Sequence, residues 1–330
     1  MSALGEAFAF CCPNLQQLDL SDNTGVTSFF LKALGKVSEE ISNNPFPSIQ
    51  SLNLTNCDIS SSSDHKYLTQ FISLQQPNND KFELNLSKNK ISQIDWLHNS
   101  IAIDGIVTHL DLSFNSLETI SFQQRTSVEA QCRLIKLNLS QCQLTSSHFQ
   151  LPLTHGDGEF MSLLSCSSSS LTHLDLSGNP SIGNDNNTVQ MLVDSLTNIS
   201  SLDMSQTNIN IDSAIKILTS WKQQLKELRL FGNALKDDGC RKIVPFITDT
   251  TTNSALESLD LSGNHISSDG LLELLQIISS IPPNSSLKLL EIGGNETNPQ
   301  VLEKIDAIRE LRPDLDIAHD KTPNNTNPEV

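Results

Sequence analysis

The chain has no uninterrupted apolar run approaching the roughly 18 residues that a membrane-spanning helix needs, so no span is expected. No basic stretch precedes the short apolar segment of MSALGEAFAFCCPNL, which argues against a secretory leader. No C-x-x-C pair occurs among the seven cysteines. That usage points to reduced thiols in a cytoplasmic protein, with the nucleus as the alternative, rather than to a disulfide framework. Positive charge is also scarce: Lys and Arg number 21 against 38 Asp and Glu, a formal net charge of −17. Such a balance disfavours bare nucleic acid and anionic membrane as partners. Only 18% of residues are charged and 37% are hydrophobic, which is too apolar for an acidic disordered chain.

Signatures of chemistry are missing as well. No Gly-rich phosphate loop follows a strand-like run, the serines have no base at fixed spacing, and GDG at Gly156 to Gly158 lacks the remaining ligands of a calcium loop. We therefore expect no catalytic residues, no cofactor and no metal. Asn53-Leu-Thr and Asn138-Leu-Ser have the form of glycosylation acceptors, but both fall within strand-like runs, which argues against modification.

What is present is repetition. SLTHLDLSGN, from Ser170 to Asn179, returns as SALESLDLSGN from Ser254 to Asn264. Apolar residues alternate with polar ones, so Leu174 and Leu176 face inward and Asp175 faces outward on a half-buried strand. The pattern L-x-x-L-x-L-x-x-N recurs with first positions at Leu15, Ile49, Lys81, Val107, Leu134, Leu171, Ile199, Leu225, Leu256 and Leu287. The ninth position is Asn23, Asn89, Asn115, Asn179, Asn233, Asn264 and Asn295, with Cys57, Cys142 and Thr207 as substitutes. A side-chain amide there can satisfy backbone groups that leave the strand. A metal-binding or catalytic role for Cys57 and Cys142 is the alternative.

These ten copies resemble the leucine-rich repeat family from Leu15 to about Leu311. The resemblance implies an α/β solenoid, a horseshoe with about ten parallel strands on the concave face and helices on the convex face. Residues 1–14 are then an N-terminal cap, 15–312 the solenoid, and 313–330 a C-terminal cap and polar tail. Successive copies start 26 to 37 residues apart, which leaves room for a helix in most turns. Leu271, Leu274, Leu275 and Ile278 recur at helical spacing, as do Val301, Leu302, Ile305, Ile308 and Leu311 after Pro299. The alternation is similar to the ribonuclease-inhibitor-like subclass, from which the longest intervals depart. Residues Ser2 to Ala9 are expected to form a capping helix, and the serine runs at Ser60 to Asp64 and Cys166 to Ser170 are read as solvated connectors. Trp221 is read as helix-to-sheet packing.

The fifth position forms an outward column: Asp19, Asn53, Asn85, Asp111, Asn138, Asp175, Asp203, Arg229, Asp260 and Glu291. Six acids and one arginine run along it, and Ser or Thr fills the seventh position in eight of the ten copies. Part of this is the polar residue that any such strand needs. The eighth copy departs twice, with Arg229 in place of the acid and Phe231 in place of the serine. Arg229 is expected between Asp203 and Asp260 as a local charge ladder, and an exposed Phe231 beside it has the chemistry of an interface anchor. His109, Lys136 and His173 share the third position, but the histidines are two strands, roughly 10 Å, apart, too far to share a metal.

The function expected is a non-enzymatic protein-binding scaffold whose partner carries a basic segment, with Asp111, Asp175, Asp203, Arg229, Phe231, Asp260 and Glu291 as partner-binding candidates. Two alternatives follow from resemblance alone: an actin-cytoskeleton regulator similar to the capping-protein regulators of the CARMIL type, and a small-GTPase activator of the RanGAP type. Neither the long extra regions of the first nor the acidic tail of the second occurs in this sequence.

Overall fold

A computed structural model describes residues 12, 14–25, 29–33, 49–60, 62–73, 75, 81–97, 101, 105–123, 132–149, 160–248, 254–281 and 285–319. The expected capping helix over Ser2 to Ala9, the GDG segment and residues 320–330 of the tail lie outside them. The chain divides into two compact units, Met1–Ile182 with Gln190–Ile199, and Gly183–Val189 with Ser200–Val330.

Every copy of the phrase yields a strand of three residues. In the first unit these are β1 (Gln17–Asp19), β2 (Ser51–Asn53), β3 (Glu83–Asn85), β4 (His109–Asp111), β6 (Lys136–Asn138) and β8 (His173–Asp175). Between them, β5 (Ser121–Gln123) and β7 (Phe160–Ser162) form a separate antiparallel pair. The second unit holds β9 (Ser201–Asp203), β10 (Glu227–Arg229), β11 (Ser258–Asp260), β12 (Leu289–Glu291) and β13 (Asp316–Ala318). All eleven repeat strands run parallel within their units. Pairing is without slip, so the inward leucines stack in a row: Leu18, Leu52, Leu84, Leu110, Leu137 and Leu174 in one unit. Leu202, Leu228, Leu259, Leu290 and Ile317 form the row of the other. None of these is more than 7% exposed. A one-residue slip would bring the polar neighbours inward, so the buried row fixes the register.

The eleventh strand lies where the sequence suggested only a cap and tail. Its inward residue is Ile317, but the flanking leucine positions of the phrase are Asp314 and His319, so the pattern did not reveal it. Arg312 closes this end. It is 2% exposed and donates from Nε and Nη2 to both Asp314 carboxylate oxygens at 2.9 Å, and to the Ile281 carbonyl and the Ser285 hydroxyl. Hydrogen bonding to Arg312 holds the Asp314 carboxyl below its usual range.

The ninth-position amides join one repeat to the last. Asn179 Oδ1 accepts from the backbone N–H of Cys142 at 3.0 Å and of Leu144 at 2.9 Å, while its Nδ2 donates to the carbonyls of Leu139 and Leu176. Asn233 repeats the scheme with Thr207 and Ile209 as donors and Met204 and Leu230 as acceptors. Asn89, Asn264 and Asn295 bridge in the same way. The substitutes keep half of it. Cys57 Sγ donates to the Leu20 carbonyl and Cys142 Sγ to the Leu112 carbonyl, but neither thiol replaces the accepting oxygen. Before Cys142 the gap is filled by backbone: Leu117 N–H donates to the Cys142 carbonyl at 3.3 Å. Burial pushes the Cys142 thiol up to about 12, which fits a structural rather than a reactive cysteine.

Behind the strands the two units differ. In the second, one helix follows each of β9 to β12: Ile211–Ser220, Lys236–Thr248, Ser268–Ile278 and Pro299–Leu311. Ser267 caps the third by accepting from Gly270 N–H at 3.1 Å, and Asn298 caps the fourth by accepting from Val301 N–H at 3.0 Å. Leu271, Leu274, Leu275 and Ile278 are buried as their spacing implied, and so are Val301, Ile305 and Ile308, but Leu311 at the end of its helix is exposed. Trp221 is buried where Ile211–Ser220 ends. In the first unit a full helix, Ser62–Ser73, follows β2, whereas single 3-10 turns at Asp95–Leu97 and Ser146–His148 follow β3 and β6. The serine runs are not simple connectors: Ser62 opens a helix, and Ser167 is buried with its hydroxyl donating to the Leu163 carbonyl.

Replacing Asn179 by Ala strands buried donors and acceptors on two repeats and is expected to cost at least about 2 kcal/mol in a denaturant titration. Asn179→Cys keeps the donating half and should cost less. Truncating the inward Leu174 to Ala should cost about 2 to 5 kcal/mol. Equal losses for the Cys and Ala variants at position 179 would contradict the bridging role.

Candidate functional site

The outward aspartates have a structural task. Asp19, Asp111, Asp175, Asp203 and Asp260 each accept, through Oδ1, the backbone N–H two residues on, at 2.8 Å. Asn53, Asn85 and Asn138 do the same at 2.9 to 3.1 Å. The short Asx side chain turns the chain out of the strand and occupies a backbone donor that the ladder no longer serves. For Asp19 that bond from Ser21 holds the carboxyl below its usual range. The turn continues at the eighth position of the phrase, where all ten copies adopt φ between 53° and 67°. Four of these are glycines, and the rest, such as Lys88, Phe114, Gln141 and Gln206, carry the strain of a left-handed backbone.

Arg229 and Glu291 lack the Asx geometry and stand apart. Arg229 aligns with Asp203 and Asp260 in the strand register. Its guanidinium engages Glu227 on its own strand at 2.7 Å, with Asp203 at 4.0 Å. Glu227 also accepts from the Ser201 hydroxyl at 2.8 Å, so Arg229 is held within a local network. The sequence reading named Asp203 and Asp260 as its neighbours and missed Glu227, although a residue two positions earlier on one strand shares its face. Burial, and then the Asp260 carboxylate, push the Glu291 carboxyl above its usual range, with Arg229 opposing. Among the described residues no ion pair involves Asp260 or Glu291.

Phe231 is 40% exposed. Its ring lies across the glycine of the next repeat: a Cβ on Gly263 would sit 3.0 Å from Phe231 Cε2. The aromatic is thus half seated on the solenoid and half presented to solvent.

In the first unit Asp111 and Asp175 lie on β4 and β8, with Asn138 of β6 between them. Asn138 Nδ2 reaches Asp111 Oδ2 at 3.3 Å. His109, Lys136 and His173 follow one another in register on the same strands. Burial is the main cause that lowers the His109 pKa, opposed by Glu83, so its imidazole is neutral at pH 7. No group of three or more His, Cys, Asp or Glu suited to a metal occurs among the described residues. Beside this row Phe114 is 53% exposed, with Lys88 Nζ 5.8 Å above its ring. It rims a depression of about 540 Å³ shared with Gln141, Gln143, Gly178, Pro180 and Ser181. Phe114 stands in LSFN where other copies place Asp22, Asn56 or Gln141, so the same departure that marked Phe231 could have marked it.

A family model described as Leucine Rich repeat matches residues 11–28, 167–185, 223–244 and 252–275. These segments are leucine-rich repeats. The strands of the repeated phrase, each buried on one side and followed in most copies by a helix or a turn, make an open α/β solenoid of each unit. Among solved structures the chain is similar to the leucine-rich repeat-containing protein LegL7 from Legionella pneumophila, at 19% identity over 96% of this chain and 77% of that chain, with a TM-score of 0.44. It is also similar to TLR13 in the TLR13-ssRNA13 complex, at 17% identity over 86% of this chain, with a TM-score of 0.53. This chain spans 33% of the TLR13 chain, and at that identity the likeness concerns the fold alone. No curated protein matches.

Because asparagine already makes the turn bond in three copies of the phrase, replacing Asp111, Asp175 and Asp203 together by Asn should leave stability within about 0.5 kcal/mol. The same three sites changed to Ala lose the acceptor and should cost about 1 kcal/mol each. Thermal melts of the two triple variants separate the outcomes, and equal stability would remove the turn bond as the reason for the acids.

Proposed function

We propose that this chain is a protein-binding scaffold without catalytic activity, which presents the outward side of its parallel strands to a partner with a basic segment. The observation that carries this reading is the charge arrangement of the second unit. Arg229 is engaged by Glu227, while Asp260 and Glu291 lie side by side in register on neighbouring strands, and burial, followed by the Asp260 carboxylate, holds the Glu291 carboxyl above its usual range. A partner lysine or arginine placed there would relieve the repulsion and gain charge-assisted bonds. Phe231 adds an aromatic surface next to these acids, and aromatic side chains often anchor interfaces. Solenoids suit the task because their strands offer a long, shallow, repeated surface. The reduced cysteines favour a cytoplasmic setting. The actin-capping-regulator and RanGAP-type alternatives gain no residue-level support from the described surface.

The test compares the parent with two variants whose folds should survive: the triple Asp→Asn change at 111, 175 and 203 with Asp260→Asn added, and Phe231→Ser. Basic proteins captured from native lysate on the immobilised parent, released by raised salt and lost on the charge variant, are then purified for titration. The charge variant should associate more slowly and with a flatter salt dependence. Phe231→Ser should weaken binding at least about tenfold. A random-sequence single-stranded RNA should not bind in fluorescence anisotropy. Unchanged association rates for the charge variant, or RNA binding as tight as protein binding, would overturn the reading.

A further inference from the structure

The described cysteines are all free thiols, but they do not share one environment. Cys142 and Cys240 are buried, and burial pushes each thiol up to about 12. Cys57 is buried and donates to a carbonyl of the preceding repeat. Cys132 and Cys166 are different. Both are partly exposed, and their Sγ atoms lie 3.8 Å apart, with the Cys166 thiol donating to Cys132.

The fold creates this proximity from residues 34 positions apart. Cys132 lies on the chain entering β6, and Cys166 ends the short helix Leu163–Cys166 that follows β7. Leu163 N–H donates to the Ile120 carbonyl at 2.8 Å, just before β5, and the antiparallel pairing of β5 with β7 fixes where that helix begins. The longest interval between successive repeats, the 37 residues from Leu134 to Leu171, begins just after Cys132 and holds Cys166 near its far end.

We propose that Cys132 and Cys166 form a redox-active dithiol in which Cys132 is the nucleophile toward hydroperoxides and Cys166 the resolving thiol. The Cys132 thiolate attacks one oxygen of hydrogen peroxide, the O–O bond breaks, and hydroxide leaves, giving a sulfenic acid at Cys132. Cys166 sulfur then attacks the Cys132 sulfur, the S–O bond breaks, and water leaves with the Cys166 proton. Two thiols lose two electrons in all, and one peroxide becomes two waters. The assignment of roles follows from the direction of the contact. Cys166 donates its S–H to Cys132 and the Leu134 N–H points at the same sulfur, which lowers Cys132 to about 6; donation to Cys132, followed by burial, pushes Cys166 up. The sulfurs need to close from 3.8 Å to about 2.05 Å, a shift that side-chain rotation can supply. Closure ties the approach to β6 to the end of the β7 helix, and a thiol reductant reverses it.

Peptide mapping by mass spectrometry under non-reducing conditions tests this on the full chain treated with one equivalent of hydrogen peroxide. A Cys132–Cys166 cross-link, two hydrogens lighter and formed before any other cysteine reacts, is expected. Iodoacetamide at pH 7 should label Cys132 in the untreated native protein at least about tenfold faster than Cys142 or Cys240. Cys166→Ser should stop the reaction at a dimedone-reactive sulfenic acid on Cys132. The labelling needs no variant, so a misfolded substitution does not blunt the test. Cross-links to other cysteines, direct passage of Cys132 to sulfinic acid in the parent, or labelling of Cys132 no faster than Cys142 would each overturn the assignment.

Discussion

A three-residue strand satisfies few of its own backbone groups, and everything else in this chain is arranged around that shortage. The leucines supply apolar burial, but the turn that leaves each strand would bury N–H and C=O groups without partners, at a cost of about 1 to 3 kcal/mol each. The ninth-position amide answers this because one short side chain carries both a carbonyl acceptor and an NH2 group with two donors. Asn179 serves Cys142 and Leu144 on one repeat and Leu176 on its own with the same four heavy atoms. Cohesion therefore passes from repeat to repeat through directional bonds as well as through the apolar row.

The same constraint accounts for most of the acidic column. An aspartate in LDLSGN looks like a functional charge, yet its Oδ1 is committed to the backbone of the turn, as the asparagines at Asn53, Asn85 and Asn138 are. Its charge still faces outward, so the turn bond does not use up the whole side chain. At positions freed from the turn bond the backbone does not dictate the outward residue. Arg229, Phe231 and Glu291 are such positions in the second unit. Phe114 is another in the first, where its left-handed backbone, at φ 56°, places an aromatic at the rim of a depression.

Most of the architecture was legible because it rests on periodicity. Alternation gave the inward leucines, helical spacing gave Ser268–Ile278 and Pro299–Leu311, and the repeated Asn implied a backbone partner. What stayed hidden depends on contacts between residues far apart in sequence or on weak patterns. The strand Asp316–Ala318 keeps a single apolar residue of the phrase's three. The strands β5 and β7 lie between copies, in the two intervals on either side of the copy that starts at Leu134. The approach of Cys132 to Cys166 depends on that pair, and the partnership of Arg229 with Glu227 depends on which rotamers the sheet leaves open. Leu311 shows the reverse error: its spacing fits the buried stripe, but it is the last residue of its helix and is exposed.

The bridging amide can be observed without altering the chain. Native-state hydrogen exchange, resolved to single residues by NMR, would report the backbone N–H groups of Cys142, Leu144, Ile209 and Ile59, whose acceptors are asparagine side chains rather than strands. Protection of these four that matches the strand-ladder amide of Leu139, with the same dependence on denaturant, is the expected result. Exchange at the rate of exposed turn amides, while Leu139 stays protected, would show that the side-chain amides do not hold the repeats together.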